Sequence, residues 1–158
     1  MRHAIVGLIA SLAAGCVGTS DPTPVQLPVA PMSAITVATA ANTFTGSVGA
    51  SIVHQVTRCP AAAGVGVLAE TADAGVTAIF TRLPFEGSVF DLSLPGAEDD
   101  VVVSSQVGAR ISCTNTASPA SGTVEVRRFE EVGSRWLVDV VLTGVVAGAT
   151  TIDAHLYH

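Results

Sequence analysis

The chain contains no lysine, and its seven basic residues, all arginines, are set against thirteen acidic residues, which gives a formal net charge of −6. A surface of this kind lacks the cluster of cations that neutralises phosphates when a protein binds nucleic acid. It also lacks the basic patch that holds a protein on an anionic membrane surface. Charge alone therefore argues against both kinds of partner.

Aromatic and charged residues are scarce, at 4% and 13% of the 158 residues, although 49% of the chain is hydrophobic. The apolar residues are mostly Ala, Val, Leu and Ile, and together with fifteen glycines they favour strands and turns over helices. The apolar run over residues 4–14 would span only about 16 Å as a helix, too short for the ~30 Å core of a bilayer. The length and apolar content predict one domain with a buried core.

Residues 1–15 have the features of a secretory signal: a short positive start, an apolar stretch and small residues before Cys16. The sequence Leu12-Ala13-Ala14-Gly15-Cys16 resembles the lipobox of bacterial lipoproteins. This resemblance implies that Cys16 is diacylated on sulfur and becomes the first residue of the mature protein. Ala13 stands where leucine is commonest in the lipobox, so ordinary secretion with cleavage near Ala13 is the alternative.

The residue after Cys16 is Val17, not the Asp that retains lipoproteins in the inner membrane. The resemblance therefore implies an outer-membrane protein whose first partner is the lipid bilayer, bound through acylated Cys16. Residues 17–33 contain four of the eight prolines and show no periodicity, which is typical of an extended tether. We expect a signal peptide at 1–15, an acylated tether at 16–33 and a single β domain at 34–158.

The remaining cysteines, Cys59 and Cys113, form an even pair once Cys16 carries lipid. In an oxidising compartment such a pair is expected to form a disulfide. The alternative is two buried free thiols.

Alternating apolar and polar residues predict strands at 89–94, 107–113, 123–130, 135–143 and 150–158. In the fourth of these, Trp136 is expected to face the core and pack near Phe90 or Ile152. In the strand predicted at 89–94, the expected buried residues are Phe90, Leu92 and Leu94. In the strand predicted at 107–113, they are Val107, Ala109, Ile111 and Cys113. The third loses phase at Arg127, as a β-bulge would cause.

Weaker strand patterns cover 34–40, 44–48, 64–70 and 75–83, and residues 51–57 fit either a strand or one helical turn. Eight to ten short strands predict an all-β fold, either an antiparallel β-sandwich or a jelly-roll-like barrel. The segment Ser121-Gly122-Thr123-Val124-Glu125-Val126 and the strand pair after it resemble the ends of small uncharacterised β-sandwich lipoproteins.

Two groups of residues could ligate a metal. Glu98, Asp99 and Asp100 are adjacent carboxylates that could bind Ca²⁺, but they lack the alternating spacing of a calcium loop, which favours a solvated acidic turn. Asp153 and His155 lie two residues apart on the outer face of a predicted strand, where a plain exposed strand face is favoured over a partial metal site.

Catalytic and cofactor signatures are weak. The match of residues 64–69 to G-x-G-x-x-A lacks the strand, helix and acidic residue that a dinucleotide site needs. Motifs of serine hydrolases, zinc peptidases and nucleotide-binding loops are missing, and His54 is the one histidine in the middle of the domain. We therefore expect no catalytic residues and no cofactor.

These observations favour a non-enzymatic envelope lipoprotein with a structural or partner-binding β domain. The alternative is a periplasmic binder of a small ligand or carbohydrate, or a hydrolase. Sugar binding needs exposed aromatic platforms, and Tyr157 is the one ring that the pattern leaves outside.

Overall fold

The computed structural model describes residues 32–56, 64–107 and 119–158. Within these ranges the chain forms ten strands and one short 3-10 helix at Ala97–Asp99. In chain order the strands are β1 Ser33–Ala38, β2 Thr43–Val48, β3 Ile52–Val56, β4 Gly64–Glu70, β5 Ala74–Phe80, β6 Val89–Asp91, β7 Val101–Val107, β8 Pro119–Val132, β9 Arg135–Ala147 and β10 Thr150–Tyr157. A search of these ranges finds no helix of the length and hydropathy that a membrane span requires.

The strands form two antiparallel sheets that pack on one another. The larger has six strands in the order β2-β1-β10-β9-β8-β6, and the smaller has four in the order β3-β4-β5-β7. The sheets do not close into a barrel. The prediction of an all-β fold is confirmed. Of the two architectures that were predicted, a sandwich and a barrel, the open sheets agree with the sandwich.

The core lies between the sheets and consists largely of valine and alanine with a few larger residues. β9 and β10 supply their alternate residues to it, Val138, Val140 and Leu142 from one strand and Ile152, Ala154 and Leu156 from the other. This is the alternation predicted from the sequence. On β8 the pairing with β9 shifts between Val126 and Arg128, so the predicted bulge is also confirmed.

Predictions about two strands are wrong in detail. Strand β7, from Val101 to Val107, was not predicted, and Val107, expected in the core at the start of a strand over 107–113, is 38% exposed at the end of β7. The strand expected at 89–94 stops at Asp91, which leaves Leu92 buried and Leu94 59% exposed in the following turn. Ala109, Ile111 and Cys113 lie outside the described residues. The segment for which a helical turn was the alternative forms strand β3.

Trp136 is half-buried against the edge of the core. Its ring meets that of Phe129 on the adjacent strand β8, with centroids 5.5 Å apart. Phe90, one of the two expected neighbours, instead contacts Phe80, with centroids 6.1 Å apart. The predicted inward orientation holds, but the ring that Trp136 contacts is that of Phe129.

A buried polar junction joins the start of β1 to the end of β10. The hydroxyls of Ser33 and Ser51 are 2.7 Å apart and both residues are almost completely buried. The amide of Ser51 donates to the carbonyl of Tyr157 at 2.6 Å, and the amide of Ser33 donates to the carbonyl of Gly49. Since the buried hydroxyls have partners, this junction avoids the cost of unsatisfied polar groups and holds the two sheets together at this end.

Candidate functional site

Residues 81–100 leave the four-stranded sheet after β5, add the short strand β6 to the edge of the other sheet, and return to β7. We call this segment the β5–β7 crossover. Its two ends are joined, because the Thr81 amide donates to the carbonyl of Asp100 at 3.0 Å and the Thr81 hydroxyl donates to the carbonyl of Asp99. The crossover is therefore a loop whose two ends are hydrogen-bonded to each other and whose middle lies at the edge of the six-stranded sheet.

Asp91 terminates β6 in a tight turn. Its Oδ1 accepts hydrogen bonds from the Ser93 amide at 2.9 Å and from the Ser93 hydroxyl at 2.6 Å. These bonds stabilise the charged form and hold the pKa of the Asp91 carboxyl below its usual range, and the bond from the Ser93 hydroxyl makes the larger contribution. The Asp91 carbonyl also accepts from the amide of Leu94. Side-chain bonds of this kind compete with strand pairing, which explains why β6 is so short.

Large apolar side chains are exposed on the crossover. Leu83, Phe85, Val89 and Leu94 are 58%, 83%, 63% and 59% exposed, and Phe85 is the most exposed large hydrophobic residue of the described ranges. Scattered exposed apolar residues are ordinary, but four within twelve consecutive positions form a cluster. Phe90 lies among them, half-buried and in contact with Phe80 of the core.

Two shallow clefts flank Phe90. One, of about 240 Å³, is lined by Arg82, Leu83, Pro84, Phe85, Ser88, Phe90 and Asp100. The other, of about 280 Å³, is lined by Val89, Phe90, Asp91, Leu94, Pro95, Gly96, Ala97 and Asp100. Phe90 and Asp100 border both clefts, so one apolar ring and one carboxylate lie at the centre of the surface.

Acidic residues surround this apolar surface. The crossover contains five of them, Glu86, Asp91, Glu98, Asp99 and Asp100, and a single cation, Arg82. The suggested calcium ligands belong to this group: Glu98 and Asp99 lie in the 3-10 helix, and Asp100 follows it. A search of the described residues finds no group of three His, Cys, Asp or Glu side chains arranged to hold a metal. These carboxylates therefore lie beside the clefts, and among the described residues they are not arranged to coordinate a metal ion.

The second suggested metal site is divided by the structure. On the outer face of the six-stranded sheet, His155 Nε2 lies 2.9 Å from Asp139 Oδ1, whereas Asp153 accepts a hydrogen bond from the Gly144 amide at 2.7 Å. Asp153 and His155 thus have different partners. The pairing of His155 with Asp139 was not predicted from the sequence, because it depends on the register that sets Tyr157 opposite Asp139.

The Asp139–His155 pair lies in a row of charges on this face. Glu125 and Arg127 form an ion pair with an N–O distance of 3.1 Å. The hydrogen bond and charge of Glu125, with a further contribution from Asp139, raise the pKa of Arg127. Exposed ion pairs of this kind contribute little to stability and mainly keep the sheet face polar. An imidazole beside a carboxylate can exchange protons, but this geometry assigns it no substrate.

The remaining candidates from the sequence give no site. Gly64 begins strand β4, where a Cβ atom would lie 1.9 Å from the carbonyl oxygen of Phe80. Close strand packing, not a phosphate loop, therefore requires this glycine. The side chain of His54 and all three cysteines, Cys16, Cys59 and Cys113, lie outside the described residues, as do residues 1–31, where the signal peptide and most of the tether are predicted.

The chain matches no family model, no curated protein and no solved structure.

Proposed function

We propose that this chain is an exported, non-enzymatic lipoprotein of the outer membrane, acylated at Cys16, whose β-sandwich binds a protein partner through the β5–β7 crossover. The observation that carries the binding role is the cluster of Leu83, Phe85, Val89 and Leu94, exposed around the half-buried ring of Phe90. Exposed apolar clusters that are rimmed by polar residues mark interaction sites.

A protein partner suits this surface better than a small molecule. The clefts of about 240 and 280 Å³ are below the usual 300–1,000 Å³ of small-molecule pockets. The apolar side chains project outward, so a partner with its own pockets can enclose them. Trp136 packs edge-on against Phe129 and is not free to stack on a sugar ring.

The anchor and the tether give this binding module its setting. The lipobox-like sequence ends at Cys16, and residues 17–32 follow before the first strand of the sandwich. In an extended, proline-rich conformation these residues reach about 50 Å from the membrane, at ~3.1 Å per residue. The crossover could thus meet a partner in the periplasm or in a neighbouring envelope layer.

Metabolic labelling tests the anchor. Cells that produce the protein are fed an alkyne analogue of palmitate, and we expect the wild type to be labelled and Cys16→Ser to be unlabelled. A wild-type protein that takes no label and fractionates with soluble proteins would show that ordinary secretion is the correct interpretation of residues 1–16.

Site-specific photo-crosslinking in cells tests the binding role. A photo-reactive amino acid at position 85 should give a discrete adduct with one protein, because Phe85 projects from the surface. The same amino acid at position 132 is the control, since Val132 is also exposed but lies at the far end of β8. Equal adducts at both positions, or none at position 85, would contradict the proposal.

A further inference from the structure

The crossover carries a large share of the charge of the protein as well as its exposed apolar cluster. Its five carboxylates and one arginine give these twenty residues a net charge of −4, against −6 for the whole chain. Glu86, Asp91, Glu98 and Asp99 are exposed, and Asp100 is half-buried between the two clefts. Hydrogen bonds from the hydroxyl and the amide of Ser93 hold the pKa of the Asp91 carboxyl below its usual range and fix this carboxylate beside one of the clefts.

Resting on the proposed binding function, we infer that the partner segment carries apolar side chains for the two clefts beside Phe90 and lysine or arginine residues on both sides of them. The apolar clefts bind the centre of such a segment, and the carboxylates around them bind its ends. Charge complementarity is the argument for this occupant, because opposite charges around an interface raise the association rate and exclude wrong partners.

The same charges argue against two other occupants. A second copy of this chain would bring its own crossover, and the two surfaces would repel at −4 each. An anionic bilayer would likewise repel the carboxylates that surround Phe85, so that insertion of this ring into the membrane would be opposed.

Peptide binding to the purified domain, residues 16–158 with Cys16→Ser, tests the inference. The probe is a fluorescein-labelled heptapeptide, Lys-Lys-Leu-Ser-Leu-Lys-Lys. One control peptide replaces every lysine with glutamate, and the other replaces both leucines with serine. We expect the first peptide to bind at least tenfold more tightly than either control in fluorescence anisotropy, and raising the salt from 50 to 300 mM to weaken it several-fold.

Matched variants locate the binding. Phe85→Ser and the triple change Glu98→Gln, Asp99→Asn and Asp100→Asn should each weaken binding at least tenfold. Val132→Ser and Glu131→Gln, which change equally exposed residues at the end of β8, should stay within twofold of the wild type. Thermal unfolding followed by the emission of Trp136 checks that each variant is folded. Within the described residues, the side chains of Glu98, Asp99 and Asp100 make no hydrogen bond, so the triple variant should fold.

Each outcome has a distinct meaning. Tight binding of the glutamate peptide would overturn the charge preference and leave the proposed binding function intact. Dimerisation that depends on Phe85, seen by analytical ultracentrifugation, would make a second copy the occupant. Binding to vesicles of phosphatidylglycerol and phosphatidylethanolamine that is lost in Phe85→Ser would make the bilayer the occupant. No binding of any probe would overturn the inference, and crosslinking at position 85 in cells would then decide the proposed function separately.

Discussion

Replacing Phe80 with alanine tests the packing on which both the sandwich and the crossover surface depend. Phe80 ends β5 in the four-stranded sheet and is 1% exposed. Its ring lies 5.2 Å from that of Phe129 and 6.1 Å from that of Phe90, both on strands of the six-stranded sheet. Phe80 therefore joins the two sheets and supports the ring at the centre of the two clefts.

The expected loss of stability follows from this burial. Truncating a fully buried phenylalanine to alanine costs about 3–5 kcal/mol, because transfer free energy is lost and a cavity remains. A domain of this size has a total stability of about 5–15 kcal/mol, so Phe80→Ala removes a large part of it. Phe80→Leu keeps most of the apolar volume and loses two aromatic contacts, each of about 0.5–1.5 kcal/mol, and should cost about 1–3 kcal/mol.

Urea unfolding, followed by far-ultraviolet circular dichroism, measures these differences. The control is Phe85→Ala, the same substitution five residues along the chain at a side chain that is 83% exposed, and it should change the free energy of unfolding by less than about 0.5 kcal/mol. Phe80→Leu gives a measurable value if Phe80→Ala does not fold. Equal effects of Phe80→Ala and Phe85→Ala would refute the packing described here.

Three further predictions concern backbone strain, the tryptophan and the cysteines. Gly122→Ala should destabilise the domain far more than Gly133→Ala in the same urea assay: both glycines have positive φ, but a Cβ at Gly122 would lie 2.5 Å from Val145 Cα whereas Gly133 has open space around it. Trp136→Ala should lower the free energy of unfolding by about 2 kcal/mol, less than the ~3–5 kcal/mol of a fully buried ring, because Trp136 is half-buried. The fluorescence emission of the wild type should move to the red on unfolding, and a native spectrum like that of free tryptophan would contradict the packing of Trp136. Peptides with Cys59 and Cys113 should be linked in mass spectra recorded without reductant, and finding both as free thiols would show that the predicted disulfide is wrong.

The strands that could be predicted from the sequence are those with one face in the core and one in solvent. β10 alternates strictly, so its inward residues and its limits, to within one residue, were recoverable. In β9 the inward residues up to Leu142 were recoverable, but the strand continues to Ala147 past the predicted end at 143, because Thr143 and Gly144 are both exposed and interrupt the alternation. The bulge at Arg127 was also visible, because two arginines precede Phe129 and displace it by one position. In each case the periodicity of the side chains carries the information.

β7 was missed for the opposite reason. Val101, Val102, Val103 and Ser104 are all buried, so both faces of this strand lack a polar side and the run shows no alternation. The pattern of the side chains therefore predicted no strand over these residues. Leu94 was misplaced because its spacing from Phe90 fits a strand, whereas the turn at Asp91 ends β6 first.

The candidate site was the least predictable part. A sequence pattern assigns apolar residues to the interior, and nothing local distinguishes the exposed Phe85 from the buried Phe80. One signal was present: residues 81–100 combine five acidic residues with eight large apolar or proline residues, a mixture that a simple strand does not need. The charged residues keep such a segment at the surface, and only tertiary packing decides which apolar side chains stay outside.

The junction at Ser33 also determines how the domain would respond to a pulling force. A pull on the preceding tether is transmitted along β1, which is paired with β2 on one side and β10 on the other. Because these hydrogen bonds run perpendicular to the strand, a load that is directed along β1 shears both rows at once and does not open them one by one. Ser33 adds bonds to Gly49 and Tyr157 at the point where the force arrives. The sandwich is thus built to stay folded while it is held by its leading strand.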